Sequence, residues 1–170
     1  AIAAAVLLSA LLLAPNSARA QDTASRVWEL ARQVLIDPTT YAPAVISYEA
    51  AAWDWRTSQV LFAHGWVEAN PRFTVSGRPN DTPITYLAGT RLIRGEALSV
   101  LKYSALNNVA AGISERMLAV RYPAHRKLIR TVSWIERIGV ASLITYHRSA
   151  DHVRQGRANR RLAREHGYSP

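Results

Sequence analysis

The sequence predicts an all-α protein of four main helices in an irregular bundle, the last of them long and basic. Three observations carry this. Apolar residues recur at i, i+3, i+4 and i+7 through most of the chain, which is the spacing of one helix face. Alternation of β-branched and polar residues, the mark of a strand, is confined to the short Arg72-Phe73-Thr74-Val75-Ser76. Helix starters and breakers at Ser25, Asp37-Pro38, Pro43, Thr82-Pro83 and Pro123 divide the chain into four periodic stretches.

Ser25 can cap a first helix through Val27, Leu30, Ala31, Val34 and Leu35, which Asp37-Pro38 ends. The second is expected from Pro43, as the first helical residue, to Val67. Its Val45, Ala52, Trp53, Val60, Leu61 and Trp66 make it apolar around most of its circumference, so it is expected to be the most buried element. Pro71, Gly77, Pro79 and Pro83 mark a long loop over 68–83. Thr82-Pro83 then opens a third helix to Val120, weakened by Gly95, Asn107-Asn108 and Gly112 and expected to break near Asn107. The fourth runs from His125 through Trp134, Ile138 and Leu143 to Glu165, with the part beyond Tyr146 projecting or lying on the surface.

At the other end, the apolar run Ala1 to Ala14, then Pro15, then Ala18-Arg19-Ala20 reads as the h-region, breaker and A-x-A cleavage site of a secretory signal peptide. The expectation is a signal peptide over 1–20, a mature chain from Gln21, and one helical domain over 21–170 in which 148–170 is a basic C-terminal extension. With neither an initiator Met nor a basic n-region at the start, the natural chain is expected to extend upstream; the alternative is an uncleaved anchor. An exported protein lying in the periplasm or peripherally on a membrane follows.

Composition narrows the chemistry. With 49% hydrophobic and 19% charged residues the chain sits with globular proteins. It has no cysteine, which excludes thiol catalysis, Cys-zinc sites and disulfides. Beyond the first twenty residues the longest stretch free of Asp, Glu, Lys and Arg is Tyr103–Ser114, well short of the ~20 residues of a spanning helix. Over 41–67 the sparse charges Glu49, Asp54, Arg56 and His64 leave open a small membrane-integral subunit built on the second and third helices.

The net charge of +9 is unevenly placed: residues 1–115 hold nine Lys/Arg and nine Asp/Glu, residues 116–170 twelve and three. In a helix Arg154, Arg157, Arg160, Arg161 and Arg164 fall within an arc of roughly 120°. Guanidinium groups make bidentate contacts to phosphate or carboxylate, so this face suits an anionic envelope surface: lipid headgroups, an acidic polymer or an acidic protein patch. Nucleic acid is a poor choice for an exported protein.

Two further groups stand out. Glu136 has Ile129, Val132, Val140 and Leu143 at i−7, i−4, i+4 and i+7, which places its carboxylate in the core with Arg91 and Arg94 as cations and Asp54 and Glu49 as competing anions for the same pair. His64 with Glu68 and His147 with Asp151 are spaced i, i+4 and can each chelate a divalent ion from one helix face, with His152 following the second pair. The leading expectation is a binding or structural protein of the cell envelope that needs no cofactor. A metal-assisted hydrolase using those four residues and a divalent ion is the alternative, and Gly-x-Ser-x-Gly, Walker A and dinucleotide motifs are all missing.

Overall fold

A computed structural model of the chain describes the backbone over residues 17–168 and side chains from Ala24 onward. The signal peptide expected over 1–20 falls outside the described residues except for 17–20. The described chain is all-α: α1 (Ser17–Ile36), α2 (Pro38–Phe62), α3 (Tyr86–Arg121) and α4 (Arg126–Glu165), with short 3₁₀ turns at Pro71–Phe73 and Pro123–His125. The expected four main helices become three long ones, α2 to α4, preceded by the shorter α1. Their residues form two compact units. Among the described residues the first takes 17–41 and 102–141; the second takes 42–101 and 142–168.

Several boundaries differ from the sequence reading, each for a local reason. Asp37-Pro38 ends α1 and also starts α2: the Asp37 carboxylate accepts from Thr39 N at 2.9 Å, and Pro38 takes the first helical position. Pro43, expected there, lies inside α2 and is fully buried. α2 stops at Phe62 because Gly65 adopts φ +83° and lets Trp66 N reach Leu61 O at 3.2 Å, a left-handed C-terminal cap. α3 begins at Tyr86 because Thr82 and Ile84 are held extended, Val75 N donating to Thr82 O at 2.9 Å and Ile84 N to Phe73 O at 2.8 Å. Thr85 Oγ1 then accepts from Ala88 N as the cap.

In the first unit Leu30 and Val34 of α1 are buried, and Gly112 of α3 leaves room for the Leu30 side chain. α3 is unbroken at Asn107-Asn108. Asn108 is buried and its amide donates to Thr39 Oγ1 at 2.9 Å and Thr40 Oγ1 at 2.8 Å, so a residue that reads as a helix breaker serves as a tertiary clamp.

The second unit is built on Trp55 of α2, packed with Ala51, Phe73 and Ile93. The indole lies 5.2 Å from the Phe73 ring and 5.7 Å from Phe62, and its Nε1 donates to Tyr86 O at 3.1 Å. Gly89 of α3 faces the indole without a Cβ. The C-terminal half of α4 packs in this unit through a stripe of small and polar residues, Ser149, Gly156, Asn159 and Ala163, all buried, with half-buried His152 in register. Of the two expectations for the part of α4 beyond Tyr146, projecting is thereby corrected: it packs by one face and is exposed on the other.

Candidate functional site

Asp54 is the hub of the second unit. Its position on α2 is braced by the hydroxyls of Thr57 and Ser58, which donate to its backbone carbonyl at 2.8 and 3.0 Å. His152 of α4 donates through Nδ1 to Asp54 Oδ2 at 2.8 Å, and Asn159, about two turns further along, donates to Asp54 Oδ1 at 3.1 Å and to Ser58 Oγ at 2.9 Å. Gln155 in turn donates to Asn159 Oδ1 at 3.0 Å. The carboxylate is largely buried, and the hydrogen bond to it raises the His152 pKa above its ordinary value, against the opposing effect of burial.

Beside this network lies a cavity of about 410 Å³, whose wall includes Asp54, Trp55, Phe62, Glu68, His152 and Asn159. Glu68 enters from the loop after α2. Its backbone pairs with Asp81, its Oε1 accepts from Asn70 N at 2.7 Å, and burial pushes its carboxyl above the usual range, with the Asp54 charge adding to the rise. The arrangement pairs an oriented imidazole with a carboxyl that ionises reluctantly, over an aromatic floor.

The five arginines of the basic face, Arg154, Arg157, Arg160, Arg161 and Arg164, are all exposed. Arg154 pairs with Asp151 and Arg161 with Glu165, while Arg157, Arg160 and Arg164 meet no carboxylate among the described residues.

The structure does not bring the metal set together. His64 stacks on Tyr168 at 3.7 Å with Nδ1 2.8 Å from Val60 O, His147 is exposed against Tyr146, and Asp151 is taken by Arg154. Of the four, Glu68 and Asp151 line the 410 Å³ cavity; His64 and His147 do not. Among the described residues no three His, Asp or Glu side chains are placed to hold a metal ion.

The ion-pair expectation also changes. Glu136 is exposed, as are Arg91 and Arg94. Glu49 is exposed and pairs loosely with Arg56 at 3.9 Å, while Asp54 is held by His152. The buried charge of the first unit is the next residue, Arg137, only 7% exposed, with Nε 3.4 Å from Asp37 Oδ2 and Nη2 3.7 Å from Glu115 Oε2. The physical reason is one of phase: the apolar positions Val132 and Leu143 that flank Glu136 face solvent. The face of α4 that packs is the small and polar one.

His152, Asn159 and Arg137 were the residues that sequence reasoning missed in these roles. A signal exists, since Ser149, His152, Gly156, Asn159 and Ala163 alternate at spacings of three and four, but no apolar residue except Ala163 marks them. No helix among the described residues is long and apolar enough to cross a membrane, which removes the span that a small membrane-integral subunit requires there. No protein-family model, characterised protein or solved structure matches the chain.

Proposed function

We propose that the protein is an exported component of the cell envelope that lies on an anionic lipid surface through the outer face of α4. The observation that carries this is the composition of that face. At 100° per residue, Leu143 and Tyr146 share the same arc of roughly 120° as the five arginines. They are 58% and 67% exposed. Within the second unit α4 therefore offers solvent two large apolar side chains at 143 and 146 and a cationic stripe over 154–164.

Lipid headgroups fit this better than an acidic polymer or an acidic protein patch, because the face has both a part that prefers the acyl boundary and a part that prefers phosphate. Arg157, Arg160 and Arg164 are free of internal carboxylates and available for bidentate contact. The protein acts here as a binding module.

Co-sedimentation of the full chain with anionic and with neutral phospholipid vesicles tests the reading. Binding to the anionic vesicles that weakens as salt rises is expected, since exposed charges are screened beyond about 8 Å at physiological ionic strength. Equal binding to both vesicle types would count against it.

A further inference from the structure

The wall of the 410 Å³ cavity carries Asp54, Glu68 and Asp151 and no Lys or Arg, in a chain whose net charge is +9. Two of those carboxylates are already matched: Asp54 by His152, and Asp151 by Arg154. Glu68 is not. It accepts the Asn70 N–H but meets no cation among the described residues, and it stands half-buried where burial and the neighbouring Asp54 both resist its ionisation. The same wall includes Trp55, Phe62 and Phe73, with the more exposed Trp66 beside them, so that it offers aromatic bodies to apolar groups and an indole to positive charge. Its volume falls within the range of roughly 300 to 1,000 Å³ for small-molecule sites.

We infer that this cavity binds a small organic cation, an ammonium group joined to an apolar body, with the charge beside Glu68 and the body over the aromatic floor. An anion meets three carboxylates and, as a counter-charge on the wall, only the His152 imidazole that Asp54 already holds. A neutral apolar ligand fills the floor but leaves Glu68 uncompensated. An ammonium ligand satisfies both, and its charge replaces the solvation that Glu68 has lost. The site is separate in its residues from the arginine stripe and does not depend on lipid binding.

The test is isothermal titration of the full chain with 2-phenylethylammonium and with its neutral isostere 2-phenylethanol, at pH 8 so that Glu68 is ionised. The ammonium compound is expected to bind at least tenfold more tightly than the alcohol. Glu68→Gln keeps the oxygen that accepts from Asn70 and removes only the charge; it is expected to erase that tenfold preference. Val67→Lys, at an exposed position of the cavity rim, supplies an ammonium in cis and is expected to lower binding of the probe by tenfold or more. Circular dichroism of both variants confirms that they fold. Equal affinity for the two probes, an ammonium affinity unchanged in Glu68→Gln, or no ammonium binding at about 10 mM overturns the inference.

Discussion

His152 and Asp54 lie 98 residues apart in sequence and share a 2.8 Å hydrogen bond that ties α4 to α2. Asn159 reinforces the tie from two positions further along the same stripe, beyond Gly156. The C-terminal part of α4 is for that reason a structural member of its unit, with its arginines facing away.

The pair makes stability depend on pH. Because Asp54 raises the folded-state pKa of His152, the contribution is fully present below the ordinary histidine value near 6.5 and is lost as pH rises through the raised value. Glu68 has the same sign in a lower window: its folded pKa is raised by burial, so stability falls as pH climbs from about 4.5 through that value. Urea titrations across pH should show a decline as pH rises above about 6.5 for wild type and none there for His152→Gln. A decline that persists in the variant assigns it to another group.

Arg137 should matter far more than Glu136. Arg137→Ala leaves Asp37, about 85% buried, without its cation and Glu115, similarly buried, with only the exposed Arg130 at 3.7 Å, and is expected to cost about 3–5 kcal/mol. Glu136→Ala, at an exposed position, should stay within ~0.5 kcal/mol of wild type. Denaturation midpoints of the two variants check the assignment, and similar losses would contradict it.

Two glycines of α4 should respond with opposite sign. A Cβ at Gly156 would sit 2.7 Å from the Trp53 ring, so Gly156→Ala is expected to destabilise by about 1–3 kcal/mol. Gly139 has open space around it, and Gly139→Ala should stabilise by up to ~1 kcal/mol through helix propensity alone. Thermal melts of the pair read this directly.

How much of this was legible in the sequence depends on which physical signal each residue carries. Helix identity was legible, since 3.6-residue periodicity and the breakers at Asp37-Pro38 and Pro123 act locally. The inward face of α4 was not. Periodicity assumes that the apolar side is the buried side, whereas here Gly156 permits close approach and His152 and Asn159 satisfy a buried carboxylate, so polarity points inward and Leu143 outward. Glu136 was misplaced and Arg137 overlooked for that one reason. The arginine arc was legible because it needs only helical geometry, but Leu143, which shares its arc and is exposed, was read as core.

That reversal changes what a truncation does. Read as sequence, a cut after His152 spares every core apolar position. In the structure it removes Gly156, Asn159 and Ala163 from the packed stripe and strips Asp54 of one of its two partners. The truncated chain should lose cooperative unfolding or melt well below wild type. A full-length melting temperature in the truncated chain would show that the stripe contributes nothing.

The apolar part of the outer face should contribute to vesicle binding without salt dependence. Leu143→Ser and Tyr146→Ser remove exposed side chains and should leave stability near wild type while lowering vesicle affinity about tenfold each, in line with partial burial of one large apolar group. Affinity equal to wild type in both would confine the contact to the arginines.

The most direct measurement is the affinity of the full-length Arg157→Gln/Arg160→Gln/Arg164→Gln variant for anionic phospholipid vesicles, read beside wild type at low salt. Each basic side chain at such a surface is worth about 1 kcal/mol, so the triple variant should bind on the order of a hundredfold more weakly while its helical signal and melting temperature stay unchanged. An affinity equal to that of wild type would contradict the account.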